Sequence, residues 1–101
     1  MNEEQSMTPL ELLTEVGSRL KAQRLQRNIP QADLADKAGV GERTLRQLEN
    51  GEGSTLETYL RVLKALGLTS VLDAVAPPPP VSPMAALERG TEPQRASRKS
   101  K

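Results

Sequence analysis

Residues 31–51, QADLADKAGVGERTLRQLENG, constrain this chain more than any other stretch. Leu34, Ala35 and Ala38 recur at helical spacing, Gly39 interrupts, and Leu45 and Leu48 resume the pattern before Asn50-Gly51 ends it. The spacing predicts one short helix from Gln31 to about Ala38 and a second from about Gly41 to Asn50. Isolated helices below ~12–15 residues are marginal in water, so both segments need tertiary packing to form. The small Ala35 lets them approach closely, Gly39 allows the positive φ of a sharp turn, and Val40, Leu45 and Leu48 anchor the second segment.

The flanking sequence supplies helices to pack against. Thr8-Pro9-Leu10-Glu11 is a helix start: Thr8 as N-cap, Pro9 where a missing N–H does no harm, and Glu11 closing a capping box. Leu13, Val16 and Leu20 then line one face, with Arg19, Lys21, Gln23 and Arg27 turned outward. That helix should end near Arg27, because Asn28 tolerates a left-handed cap and Pro30 cannot continue it. After the loop, Ser54 or Thr55 caps a fourth helix with Leu56, Leu60, Leu63 and Leu66 on one face and Gly67 as its stop. Residues 69–76, TSVLDAVA, have the length of one short closing helix. With no Phe or Trp and Tyr59 as the one aromatic residue, the core must be aliphatic, which favours packed helices over aromatic-rich strands.

At residue 77 the character changes. PPPP at 77–80 favours an extended polyproline stretch, and the remainder is Pro, Ser, Arg, Gln and Lys around Met84-Ala85-Ala86-Leu87. The chain is therefore divided into a flexible segment (1–7), a helical domain (8–76) and a Pro-rich, then basic, disordered tail (77–101). Net charge is −2 over residues 1–76 and +3 over 77–101, so the domain is not a generically basic surface, and any affinity it has for nucleic acid must come from local placement of charge. The tail admits three uses: a solvated appendage, a reach along DNA by Arg95, Arg98, Lys99 and Lys101, or a segment at 84–87 that orders on a partner.

The chain has no cysteine and no histidine. Disulfides, thiolate chemistry, the commonest metal ligands and the usual general base are thereby excluded, and neither an enzyme, a metal site nor a cofactor is expected. No apolar run approaches a membrane span, and MNEEQSMT lacks a hydrophobic signal core, so a cytoplasmic protein is expected.

Two short helices joined through a glycine-containing turn fit the helix-turn-helix motif. Residues 16–67 resemble the Cro/phage-repressor type of helix-turn-helix domain, the XRE-like family, in the phrases RLKAQR (19–24), QADLADKAGV (31–40), LRQLENG (45–51) and LRVLKALGL (60–68). The resemblance implies an all-α, five-helix lambda-repressor-like domain of bacterial or phage origin that binds double-stranded DNA as a homodimer, its second motif helix in the major groove. At about 100° per residue, turning Leu45 and Leu48 inward leaves Arg43, Arg46, Gln47 and Asn50 outward, with Glu42 and Thr44 at the sides. Arginine suits guanine O6/N7, glutamine and asparagine suit adenine, and Glu42 is an acceptor for cytosine N4. The family's base-reading positions carry over to Glu42, Arg43 and Gln47, with Arg46 as a further reader or phosphate contact.

The same resemblance gives Gln31 a phosphate contact and a supporting contact to the reading helix. It also makes Arg24 and Glu49 a partly buried scaffold ion pair. Thr44, Asn50, Ser54 and Thr55 are candidate phosphate or support residues around the loop at 51–55, where Glu52 opposes an anion. Val71, Leu72 and Val75 give the closing helix an apolar surface for a second subunit. A dimeric repressor of a near-palindromic operator is the first expectation. An antitoxin that captures a toxin through its tail while repressing its own operon is the alternative.

Overall fold

The computed structural model describes residues 3–80 and residue 84. The helices are α1 (Pro9–Gln26), α2 (Gln31–Ala38), α3 (Glu42–Glu49), α4 (Leu56–Ala65) and the single turn α5 (Leu72–Val75), with 3-10 turns at Glu3–Ser6 and Thr69–Val71. The described residues contain no strand, so the fold is all-α.

Local chemistry accounts for the starts and stops. Thr8 Oγ1 accepts from the Glu11 backbone N–H at 3.1 Å while the Glu11 carboxylate accepts from the Thr8 N–H at 2.8 Å, a complete capping box. Thr55 caps α4 in the same sense, its Oγ1 accepting from the Thr58 N–H at 3.1 Å. At their C-termini the four longer helices close alike. Asn28, Gly39, Gly51 and Gly67 take φ of 57°, 74°, 80° and 77°, and the next residue's N–H turns back to a carbonyl five residues earlier: Ile29 to Arg24, Val40 to Ala35, Glu52 to Gln47 and Leu68 to Leu63. This is the Schellman closure, commonly completed by an apolar residue after the left-handed one. Ile29, Val40 and Leu68 are such residues and pack against the core. Glu52, which closes α3, is exposed.

The core is wholly aliphatic: Leu20 from α1, Leu34, Ala35 and Ala38 from α2, Leu45 and Leu48 from α3, Val62 and Leu63 from α4, and Leu66 just beyond it. In it α2 packs against both α3 and α4, and α1 packs against α3. Leu34, Leu45 and Val62 are fully buried, one from each of α2, α3 and α4.

Two expectations need correction. The buried face of α4 runs through Val62, Leu63 and Leu66, whereas Leu56 and Leu60 are 66% and 39% exposed. Leu60 stands two residues before Val62 and so projects roughly 160° away from it. Residues 69–76 are not one helix but a 3-10 turn followed by the one-turn α5; Pro77 disfavours helical backbone at Ala76, which leaves no room for a second turn.

The chain divides into two units, Met1–Val71 and Leu72–Lys101. In the second, α5 exposes Leu72 and Val75 (54% and 45%), and residues 77–80 have no regular secondary structure. The expectations for residues 85–101, including Arg95, Arg98, Lys99 and Lys101, lie outside the described residues.

Candidate nucleic-acid interface

The site is built on α3. Leu45 and Leu48 are buried (0% and 3% exposed) and fix which side of the helix faces the domain. Glu42, Arg43, Arg46 and Asn50 are exposed, while Gln47 and Thr44 are half-buried. The structure thus brings the four expected base readers onto one eight-residue helix whose opposite side is locked into the core.

That lock is tightest at the C-terminal end. A carboxylate in a helix's last turn meets the negative end of the dipole, so Glu49 needs a cation to answer it. Arg24 of α1 does so with two parallel bonds, Nε to Oε2 at 2.7 Å and Nη2 to Oε1 at 3.0 Å. The two side chains are 7% and 1% exposed. Arg24 Nη1 also donates to the Ile29 carbonyl at 2.9 Å, tying the α1–α2 connection into the cluster. Gln31, the first residue of α2, donates from Nε2 to Glu49 Oε1 at 2.9 Å. One carboxylate therefore receives donors from two other helices. Pairing on this pattern adds little net stability, but removal of one partner strands a buried charge.

A feature the sequence reading passed over holds the same end. A Cβ at Gly17 would lie 2.5 Å from the Leu48 carbonyl oxygen and 2.6 Å from that of Glu49, and one at Gly51 would lie 2.7 Å from Thr14 Cα. α1 therefore crosses the last turn of α3 in backbone contact, and any side chain at 17 must push the two apart. The signal was present: a glycine inside a helix costs about 1 kcal/mol against alanine and usually has a packing reason.

The N-terminal end of α3 is different. Its cap, Gly41, offers no side-chain acceptor, and neither does Pro30 at the start of α2, whereas α1 and α4 have threonine caps. Glu42 of the first turn has its Oε2 3.9 Å from Nη2 of Arg46, one turn on, both side chains being about half exposed.

Of the other expected contacts, Ser54 is exposed and donates from Oγ to the Thr55 carbonyl at 2.8 Å. The Thr55 hydroxyl is engaged twice, as the α4 cap and as donor to Thr58 Oγ1 at 3.0 Å. Asn50 serves as the C-cap of α3. Of the three residues expected at a dimer contact, Val71 packs against its own core, and only Leu72 and Val75 remain exposed.

A tight pair of short helices, α2 and α3, turning at Gly39 with one polar face outward, defines the class: a helix-turn-helix DNA-binding domain. A family model described as helix-turn-helix matches residues 20–72, from the middle of α1 to the start of α5. The chain belongs to this family, in its XRE type, and is a DNA-binding transcription regulator. No helix among the described residues is long and apolar enough to cross a membrane.

Proposed function

We propose that the protein is a dimeric repressor that occludes its target by placing α3 of each subunit in the major groove of a near-palindromic operator. The observation that carries this reading is the division of α3: Leu45, Leu48 and Glu49 are buried, while Glu42, Arg43 and Arg46 are exposed, with Gln47 half-buried beside them. A helix fixed this firmly from behind presents its donors at a set angle, as base readout requires. Arg43, Arg46, Gln47 and Glu42 read base edges. Gln31 at the uncapped start of α2, Thr44, Asn50, Ser54 and Thr55 hold or support phosphate contacts. A helix N-terminus without a side-chain cap suits an anion, and the Gln31 amide has a second N–H beyond the one given to Glu49.

The dimer forms through Leu72 and Val75, apolar side chains left uncovered in one subunit. A two-fold pair reads half-sites one DNA turn apart, roughly 34–36 Å. The test substitutes Arg43→Ala and Gln47→Ala singly and measures binding to the protein's own promoter and to unrelated duplex. Each loss should reduce discrimination by ~1–3 kcal/mol per base contact and leave helical content intact. Unchanged discrimination in both variants rules out α3 as the reader.

A further inference from the structure

Glu42 is the one acidic side chain among the proposed base readers, and it faces a cation on its own helix. Arg46 Nη2 stands 3.9 Å from Glu42 Oε2, with the two side chains 50% and 49% exposed. A pair this long and this wet contributes almost nothing to folding, so it is easily exchanged for other partners. A carboxylate on a helix entering a groove walled by phosphates is also repelled, and residues 1–76 already carry a net −2.

Inside the groove, where water is displaced, the Glu42 carboxylate needs a donor. Two kinds are within its chemistry: the Arg46 guanidinium beside it, or a base amino group. Cytosine presents an amino donor without an acceptor on the same base edge. Adenine sets its N7 acceptor beside N6, and guanine and thymine offer only acceptors there, thymine with a methyl group.

We infer that Glu42 and Arg46 form an either/or reader. Over an unsuitable sequence they stay paired with each other and Arg46 reads nothing. Over a cytosine, Glu42 accepts from N4 and releases Arg46 to donate to a guanine O6 or N7. Glu42 thus lowers affinity for the bulk of DNA and makes the contribution of Arg46 conditional on the base beneath Glu42. This inference rests on α3 being the reading helix.

A double-mutant cycle tests it, using the full chain with Glu42→Ala, Arg46→Ala and both together. Binding is measured on a site selected from random duplexes by the wild type and on a scrambled duplex of equal length, over a series of salt concentrations. The selected half-site should contain a cytosine whose replacement weakens wild-type binding about tenfold, a preference absent from the Glu42→Ala variant. On scrambled duplex, Glu42→Ala should bind more tightly, with the log–log salt slope steeper by about one, because Arg46 is released to a phosphate. That gain should be clearly smaller when residue 46 is already alanine, because only the removal of repulsion then remains.

An equal gain with and without Arg46 overturns the inference, since charge repulsion alone would then explain it. So does a selected site with no cytosine whose preference depends on Glu42. Arg43→Ala separates this failure from that of the underlying reading. If Arg43→Ala removes discrimination while the cycle is additive, only the Glu42–Arg46 role falls. If Arg43→Ala and Gln47→Ala both leave discrimination unchanged, α3 is not the reader and both readings fall.

Discussion

The two ends of α3 carry the same chemistry in opposite surroundings. At the C-terminal end a carboxylate and a guanidinium meet at 2.7 Å with 1% and 7% of their side chains exposed. From the N-terminal end another such pair, Glu42 with Arg46 one turn on, stands 3.9 Å apart with about half of each side chain in water. Desolvation separates their roles. The buried pair cannot be broken without stranding a charge, whereas the exposed pair is screened and worth little. One end of the helix is therefore fixed to the domain, and the other is left in water with only a weak pair. The difference leaves an eight-residue helix anchored at its C-terminal end while Glu42, Arg43 and Arg46 face water.

The comparison can be broken at either end. The largest effect should come from Arg24→Ala, which leaves Glu49 buried and unanswered at a cost of about 3–5 kcal/mol. Denaturant unfolding measures it, and a loss below ~1 kcal/mol would show that Glu49 reaches water and that the two ends do not differ. Next is Gly17→Ala. The added Cβ must displace the last turn of α3 by several tenths of an ångström, with a stability loss of about 1–3 kcal/mol. Because that turn carries α3's attachment, operator binding should fall further than binding to unrelated duplex. Equal losses on both would reduce Gly17 to a packing residue. The smallest effect belongs to the exposed end: Glu42→Ala should change unfolding free energy by less than ~0.5 kcal/mol. A larger loss would mean that the first turn is also part of the scaffold.

Much of this was legible in the sequence because backbone conformation and helix period are local properties. The capping box at Thr8, the turn at Gly39 and the inward Leu45 and Leu48 each follow from a few neighbouring residues. The α4 face was not legible, since leucines at 56, 60, 63 and 66 fit a helical stripe nearly as well as Val62, Leu63 and Leu66 do. Only the position of α2 decides between them. Gly17 was missed for the same reason: its importance lies in the Leu48 and Glu49 carbonyls, some thirty positions away in the chain. Spacing alone did not indicate the bridge between Arg24 and Glu49, which came from resemblance. The third bond of Arg24, to the Ile29 carbonyl, depends on the left-handed turn at Asn28 and was not foreseen.

The closure of α3 at Glu52 has a consequence for how the domain comes apart. The other three long helices end on an apolar residue seated in the core, but α3 ends on an exposed one. Its last turn is held instead by Arg24 from α1 and Gln31 from α2. Fraying of either neighbour removes a donor from Glu49 at once, so α3 cannot keep its orientation through a partial opening. The three helices should exchange their amide hydrogens as one cooperative unit. If α3 reads DNA as proposed, a half-opened chain offers no aligned helix, and recognition would be confined to molecules whose first three helices are all in place.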